Sequence, residues 1–191
     1  MQNEPTEDLR PYFLTLPDLD GPVNWQEFFS SDNPVELDVG CGRGLFLVNA
    51  TMARPDTNFL GIEIDYREGR HSASKLKKRE LPNGRVWGCD VTVAFDKYIP
   101  PQSVAAIHVY FPDPWWKRKH RRRRVFTDAL VDQMVTALVP GGFVHSWTDV
   151  EEYFGVIQAL MDNDARFETH PQPVERDAQH DLDYQTSFER K

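Results

Sequence analysis

The sequence predicts an α/β fold, specifically a doubly wound and mostly parallel sheet. Short apolar runs rich in β-branched residues alternate with longer segments of helical periodicity along most of the chain. A glycine-rich turn follows the first of these runs, and an acidic residue stands at or near the end of several others. Open α/β sheets place their ligand sites at the carboxyl ends of the strands. We therefore expect one crevice at that edge of the sheet to carry the chemistry.

Length and composition indicate a single domain. With 191 residues, of which 40% are hydrophobic, the chain is long enough to bury a core. Its apolar runs are far shorter than the roughly 18 residues of a membrane helix, and its first residues lack a signal-peptide pattern. Cys41 and Cys89 have no histidines spaced as metal ligands nearby, which argues against a zinc site or a disulfide scaffold. We therefore expect a cytoplasmic protein with no metal and no membrane partner.

The beginning of the chain differs from the rest, because prolines interrupt it and no periodicity is sustained. Its prolines include Pro5, Pro11, Pro17 and Pro22. We divide the chain into an N-terminal arm, residues 1–34, and a domain, residues 35–191. In the arm we expect extended backbone and one short helix at Asn24–Phe29, whose aromatic side chains pack on the core.

A buried strand at Val35–Cys41 runs into a glycine-rich loop, and a helix at Leu45–Ala53 follows it. The glycines of the loop are Gly40, Gly42 and Gly44. Their G-x-G-x-G spacing differs from the G-x-G-x-x-G of dinucleotide-binding turns. Glycines at a strand–helix turn let the backbone approach a ligand closely, although a purely structural turn remains the alternative.

Two acidic residues restrict what this loop can bind. The carboxylate of Asp38, at the end of the first strand, repels a pyrophosphate but suits a ligand that carries an ammonium and a sulfonium group. The next strand, Asn58–Asp65, ends in Glu63. A carboxylate at that tip, about 20 residues beyond the glycine loop, accepts hydrogen bonds from ribose hydroxyls.

A third strand is predicted at Arg85–Asp90, after a basic helix at Tyr66–Leu81 whose charges we interpret as a solvated face. Asp90 is the last residue of this predicted strand. Its carboxylate either accepts a hydrogen bond from an exocyclic adenine amine or caps the helix predicted at Val91–Tyr98, and the sequence does not separate the two.

The stretch 104–124 is the most unusual part of the chain. It begins as a buried strand and breaks at Pro112 and Pro114, which hold Asp113 in an extended turn. Seven of the eight residues 117–124 are lysine or arginine. A carboxylate at the end of a buried strand, with a cationic run beside it, suggests a polyanionic substrate.

The charge balance supports this interpretation. The chain has 22 basic and 30 acidic residues and a net charge of −8, and only 15 basic residues remain when the run is left out. A local cationic segment on a repelling background favours docking in one orientation. The alternative is a solvated charged face, but such faces mix both signs, and this run contains no acidic residue.

Beyond the run, periodicity predicts a helix at Val125–Leu138, a strand at Phe143–Thr148 followed by Asp149, and a helix at Glu151–Met161. A sixth strand is predicted at Arg166–His170, and the remainder is polar and irregular. Strands that alternate with helices, without an internal repeat, complete the doubly wound α/β pattern.

Several motifs, in this order, resemble those of one protein family. They are LDVGCGRG at 37–44, FLGIEID at 59–65, YFPDPWWKRKHRRRR at 110–124, TD at 148–149 and TSFE at 186–189. The glycine loop is shared by many methyltransferases, whereas FPDPW followed by a basic run is far more specific. Over residues 35–190 the chain resembles the tRNA (guanine-N7-)-methyltransferases, which have the class I S-adenosylmethionine-dependent, Rossmann-like fold.

The resemblance implies an activity, the transfer of a methyl group from S-adenosylmethionine to N7 of guanosine 46 in the variable loop of tRNA. The products would be 7-methylguanosine and S-adenosylhomocysteine, and no metal is implied. The implied partner is tRNA, while monomer and homodimer both stay open.

The resemblance also implies roles for individual residues. The cofactor is surrounded by Asp38, Gly40, Gly42, Gly44, Glu63, Asp90 and Asp113. The substrate guanosine is handled by Lys117, Asp149, Thr186, Ser187, Phe188 and Glu189. The tRNA is contacted by Lys119, His120, Arg121, Arg122, Arg123 and Arg124. Asp113 is the catalytic candidate.

The chain departs from the family pattern at three places. Ser187 stands where lysine is common, and Trp116 stands where a smaller or more polar residue is usual. The family continues past TSFE into one further strand, whereas this chain stops at Lys191. Either the final strand of the sheet is missing, or the sequence is truncated at this end.

Two other functions fit parts of the pattern. An S-adenosylmethionine-dependent enzyme acting on a small molecule or a protein would have no use for seven basic residues beside the active loop. A non-catalytic RNA-binding module on a vestigial fold would not need the acidic residues at four strand ends.

Overall fold

A six-stranded, wholly parallel sheet forms the centre of the protein in the computed structural model, which describes residues 7–115 and 124–171. The strands are β1 (Phe13–Thr15), β2 (Val35–Val39), β3 (Asn58–Glu63), β4 (Gly84–Gly88), β5 (Val104–Tyr110) and β6 (Leu138–Trp147). The helices are α1 (Trp25–Phe29), α2 (Leu45–Ala53), α3 (Tyr66–Lys78), α4 (Val91–Lys97), α5 (Asp128–Ala137) and α6 (Glu151–Asp162), with a 3-10 turn at Leu16–Asp18. The predicted doubly wound α/β sheet is confirmed.

The strand order is β1-β4-β3-β2-β5-β6, so the chain builds outward from β2 in one direction and then crosses to the other side. β2 pairs with β3 along Val35–Val39 and with β5 through Glu36, Leu37 and Asp38. The order therefore reverses between β2 and β5, which is where open α/β sheets form their ligand crevice.

The two faces of the sheet bury separate apolar clusters. Along β2, Val35, Leu37 and Val39 belong to a cluster that includes residues of α1, α4, α5 and α6. The opposite cluster draws on α2 and α3 and includes Phe59 of β3 and Val86 of β4. Alternate strand residues thus face alternate layers of helices, as the period of two requires.

A strand in the N-terminal arm is the main difference from the sequence-based expectation. β1 pairs with β4 through three residues, and Phe13 is buried against it. A Cβ placed on Gly88 would lie 2.5 Å from the ring of Phe13, so this glycine makes the space that the aromatic ring fills. Three residues are too few to show a periodicity, so this strand could not be recognised from the sequence.

The strand predicted at Arg166–His170 is wrong, because these residues are irregular and mostly exposed. Side-chain contacts hold this segment instead: the guanidinium of Arg166 binds Asp132 and Asp164. β6 also begins five residues earlier than predicted, since Leu138 already pairs with Val104 and a register shift precedes the pair Ala106–Phe143.

The aromatic side chains of the arm pack on the core, as expected. Phe29 is buried, Trp25 and Phe28 pack against the same cluster, and both cysteines are buried and free. Among the described residues, no helix combines the length and the apolar composition that crossing a bilayer requires. The expected absence of a final strand stays a prediction, because residues 172–191 lie outside the described part of the chain.

Candidate functional site

The glycine loop after β2 has left-handed backbone at Gly40, Gly42 and Gly44, with φ of 75°, 50° and 70°. A Cβ on Gly40 would meet nothing within 4 Å, and one on Gly42 would meet only a backbone oxygen at 4.0 Å. A Cβ on Gly44 would overlap the side chain of Ser72 on α3. The first two glycines thus leave open space in which a ligand can approach the backbone, whereas the third allows α2 and α3 to pack closely.

Glu63, at the tip of β3, ties that strand to the glycine loop. Its carboxylate accepts two backbone hydrogen bonds of 2.8 Å, from the N–H of Gly42 and from the N–H of Asp65. The side chain is only 9% exposed, so its orientation is fixed before any ligand binds. Each carboxylate oxygen keeps a further lone pair that can accept from a ligand hydroxyl.

Asp38 is a buried acid that lacks a full set of partners. It is 3% exposed, and its Oδ2 has no hydrogen-bond partner among the residues that the structure describes. Burial, with a smaller contribution from the negative charge of Glu63, raises the pKa of Asp38 to about 8. A buried polar atom left without a partner is costly, and a strongly shifted acid in a crevice is typical of functional sites. A cationic group beside Asp38 would remove this cost.

Asp90 caps α4, which supports the second of the two roles left open by the sequence. Its Oδ1 accepts from the backbone N–H of Thr92 at 2.8 Å and also from the hydroxyl of Thr92. Its side chain is exposed beside the tip of β3, where the N–H of Cys89 binds the carbonyl of Glu63. A contact between Asp90 and an adenine amine stays a prediction.

Asp113 is exposed on a loop just beyond β5, without helical structure, as its two flanking prolines predicted. Phe111 and Trp115, on either side of it, have φ of 49° and 41°, which is uncommon for residues with a side chain. The N–H of Phe111 donates to the carbonyl of Trp147 at the end of β6, over 2.6 Å. The loop is therefore attached to the neighbouring strand.

Five of the predicted acidic residues meet at one edge of the sheet. They lie at or near the carboxyl ends of the strands β2, β3, β4, β5 and β6, and they are Asp38, Glu63, Asp90, Asp113 and Asp149. Asp149 is exposed between β6 and α6, where the hydroxyl of Thr148 accepts from the N–H of Val150. The predicted residues outside the described part of the chain are Lys117, Lys119, His120, Arg121, Arg122, Arg123, Thr186, Ser187, Phe188 and Glu189.

A polar network beside Asp38 was missed by the sequence analysis. Glu36 accepts two hydrogen bonds from Arg54, at 2.7 and 2.8 Å, and its carboxylate lies 2.7 Å from Nε2 of His108. Nδ1 of His108 lies 2.9 Å from the hydroxyl of Tyr110. Burial lowers the pKa of His108, although the carboxylate of Glu36 opposes this. A glutamate two residues before Asp38, on the same face of β2, was the available signal.

The second missed feature is an exposed apolar side chain. Ile64 follows Glu63 directly and is 72% exposed, and Tyr66 beside it is 53% exposed. An apolar surface of this kind at the rim of a crevice can contact a flat aromatic ring.

Comparisons with known proteins agree with this arrangement. A family model with the description "Putative methyltransferase" matches residues 32–191. A protein of Rhodopirellula baltica named tRNA (guanine-N(7)-)-methyltransferase is 39% identical, covering 98% of this chain and 71% of that protein. Proteins of the same name from Syntrophotalea carbinolica and Rubrobacter xylanophilus are 29% and 31% identical, covering 87% and 83% of this chain and 72% and 69% of those proteins. The chain therefore belongs to the tRNA (guanine-N(7)-)-methyltransferase family.

Proposed function

We propose that this protein transfers the methyl group of S-adenosylmethionine to N7 of guanosine 46 in tRNA. Family membership supports the reaction on tRNA guanine. The observation that carries the choice of methyl donor is Asp38, a buried carboxylate with an unpartnered oxygen beside an open glycine loop. The position in the tRNA rests on the motifs that the chain shares with the family.

The residues at the edge of the sheet fit S-adenosylmethionine. Asp38 would face the ammonium group of its methionine part, and the backbone at Gly40 and Gly42 would lie along it. Glu63 would accept from the ribose hydroxyls through the lone pairs that its two backbone partners leave available. Ile64 would contact the adenine ring, with Asp90 at its amine. The donor supplies an electrophilic methyl group on a positively charged sulfur.

Methyl transfer to guanine N7 requires little from the protein beyond positioning of the two reactants. Guanine N7 has an exposed in-plane lone pair, so no base has to deprotonate it before it attacks the methyl group in line. Holding two reactants in alignment supplies up to roughly 7–11 kcal/mol. The reaction moves a positive charge from the sulfur to the purine, and the carboxylate of Asp113 attracts the methylated base more than the neutral one. At a separation of 4 Å and an effective dielectric constant of about 20, this attraction is at most on the order of 4 kcal/mol.

The remaining predicted site residues are assigned to tRNA because they belong to motifs that the chain shares with the family. The basic residues from Lys117 to Arg123 would meet the phosphates, with Lys117 and Asp149 nearest the guanosine. The segment Thr186–Glu189 would complete the guanosine site within the domain 35–191. A chain of net charge −8 repels RNA over most of its surface, so the run would also orient the encounter.

The test is methyl transfer from radiolabelled S-adenosylmethionine to purified tRNA, followed by digestion to nucleosides. We expect label in 7-methylguanosine, and none when guanosine 46 of the tRNA is replaced by adenosine. Label in another nucleoside, or undiminished label in the replaced tRNA, would contradict the proposed position. Binding of tRNA without any transfer would instead favour a non-catalytic RNA-binding protein.

A further inference from the structure

Arg124, the last residue of the cationic run, is directed into the protein. It is half-buried, and its Nε donates a hydrogen bond of 2.7 Å to the carbonyl oxygen of Pro114. Its guanidinium carbon lies 5.1 Å from the centre of the ring of Tyr153, within the range of a cation–π contact. Two specific contacts of this side chain are thus made within the chain.

These contacts join two sides of the candidate site. Pro114 follows Asp113 directly, so the hydrogen bond is made one residue from the catalytic candidate. Tyr153 is fully buried in the first turn of α6, the helix that starts two residues after Asp149. Arg124 therefore bridges the loop beyond β5 and the beginning of the helix beyond β6.

The loop needs such support because its backbone is strained. Phe111 and Trp115 both have left-handed φ, which is unfavourable for residues with a side chain, and this geometry persists only where the surroundings determine it. The bond from Phe111 to Trp147 fixes the beginning of the loop. Arg124 fixes its end, through Pro114.

The chemistry of these contacts favours arginine over lysine. The planar guanidinium stacks on an aromatic face while its Nε donates in its own plane, and an ammonium group cannot do both. Burial raises the pKa of Tyr153, so the ring stays neutral and presents its face to the guanidinium. A phosphate contact, in contrast, makes no such demand, since lysine also binds phosphate as a point charge.

We propose that Arg124 is a positioning residue, which holds the Asp113 loop in place relative to Asp149 through Pro114 and the ring of Tyr153. It separates the cationic run into a part that meets tRNA and one residue that organises the site. The inference deepens the proposed function and rests on it for the role of Asp113.

The experiment compares Arg124→Lys and Arg124→Gln with Arg123→Gln, which removes one charge at the adjacent position. Single-turnover methylation is measured at saturating tRNA and S-adenosylmethionine, and tRNA affinity is measured across a range of salt concentrations. We expect Arg124→Lys to slow methylation by about 10- to 100-fold, which is the effect expected when a reacting group is misplaced. Its affinities for tRNA and for S-adenosylmethionine should stay within about twofold of the parental values. Arg124→Gln should keep the parental salt dependence, whereas Arg123→Gln should flatten its slope by about 0.7–0.9.

Tyr153 offers a second pair of variants, which applies even if Arg124 variants fold poorly. Tyr153→Leu removes the aromatic face and should slow methylation as Arg124→Lys does, whereas Tyr153→Phe keeps the face and should retain the parental rate. Equal rates for the two Tyr153 variants, or a parental rate for Arg124→Lys together with a flattened slope for Arg124→Gln, would overturn the proposal.

Amide hydrogen exchange at Phe111, Asp113 and Trp115, the residues of the loop that have a backbone N–H, provides a readout that does not depend on activity. Exchange should be faster in Arg124→Lys and unchanged in Arg123→Gln, and equal exchange in the two would contradict the positioning role. A parental protein that makes no 7-methylguanosine would contradict the proposed function alone, because the exchange measurement still tests the contacts of Arg124.

Discussion

The two halves of the candidate site are built in different ways. In the proposed cofactor half, at the ends of β2 and β3, the carboxylates of Asp38 and Glu63 are buried, and Glu63 is held by the two hydrogen bonds that it accepts from Gly42 and Asp65. The substrate half, beyond β5 and β6, places Asp113 and Asp149 in exposed positions. Its loop is supported by contacts from other elements, such as the bond between Phe111 and Trp147.

This difference indicates where each half is vulnerable. The cofactor half is part of the packed sheet, so changes there should affect stability or cofactor affinity. The two acids of the substrate half are exposed, so changes to them should affect the rate of transfer while leaving the fold intact. A small cofactor requires a preformed pocket, whereas a large polyanion can be held by many contacts spread over a surface.

The largest expected effect is that of Gly44→Ala on stability. The new Cβ would lie 2.8 Å from the Cβ of Ser72, and the backbone is left-handed at φ of 70°. Overpacking and strain together should lower the free energy of unfolding by about 2–5 kcal/mol. Urea denaturation measures this. Gly40→Ala is the matched control, because Gly40 has a similar φ but its new Cβ would meet nothing within 4 Å. It should lower the free energy of unfolding by only about 1–2 kcal/mol.

Equal losses in the two glycine variants would show that backbone strain alone matters at Gly44. Adding Ser72→Gly to Gly44→Ala should restore part of the lost stability, since it removes the side chain that the new methyl group meets. No recovery in the double variant would contradict the close packing of α2 on α3.

Glu63→Ala should weaken S-adenosylmethionine binding by about 1.5–3 kcal/mol, because the charge-assisted hydrogen bonds to the ribose are lost. The affinity of Glu63→Gln for S-adenosylmethionine should lie between those of the parental protein and Glu63→Ala. Its amide oxygen can accept from only one of Gly42 and Asp65, and its amide nitrogen faces the other N–H. Titration calorimetry measures these affinities, and a parental value for the alanine variant would remove Glu63 from the cofactor site.

Asp113→Asn should slow methyl transfer by about 10- to 100-fold, or about 1.4–2.7 kcal/mol, because it removes the charge that attracts the methylated purine. S-adenosylmethionine affinity should change by a smaller factor, since the side chain is exposed and its shape is kept. Single-turnover methylation with prebound tRNA gives the rate. A near-parental rate would rule out an electrostatic role for Asp113.

The smallest effect concerns protons released when the cofactor binds. Because the pKa of Asp38 is raised to about 8, this acid is protonated at pH 7 in the free protein. An ammonium partner favours the carboxylate, so binding should release a fraction of one proton at pH 7, and affinity should rise with pH up to about 8 and then level off. Calorimetry in buffers of different ionisation enthalpy measures the release. It should be lost in Asp38→Asn, and equal release in both proteins would exclude Asp38.

The cofactor half of the site could be predicted from the sequence because its signals are local. Glycines between a strand and a helix, and an acid at a strand end, occupy a few consecutive residues. Since the carboxyl ends of parallel strands meet at one edge of a sheet, the predicted strands were enough to bring Asp38, Glu63 and Asp90 together. The strand β1 could not be predicted in this way, because its three residues depend on pairing with β4.

The sequence by itself therefore determined the fold class, the succession of strands and helices along the chain from β2 to α6, and the acids near the strand ends, since periodicity and turn chemistry act over a few residues. Only the tertiary structure decided the direction of Arg124, which contacts a carbonyl ten residues earlier and a ring on α6. The same holds for the network of Glu36, Arg54 and His108, whose members lie far apart in the chain. The sequence specifies the charge of a side chain, but the partner of that side chain depends on which elements pack together in the fold.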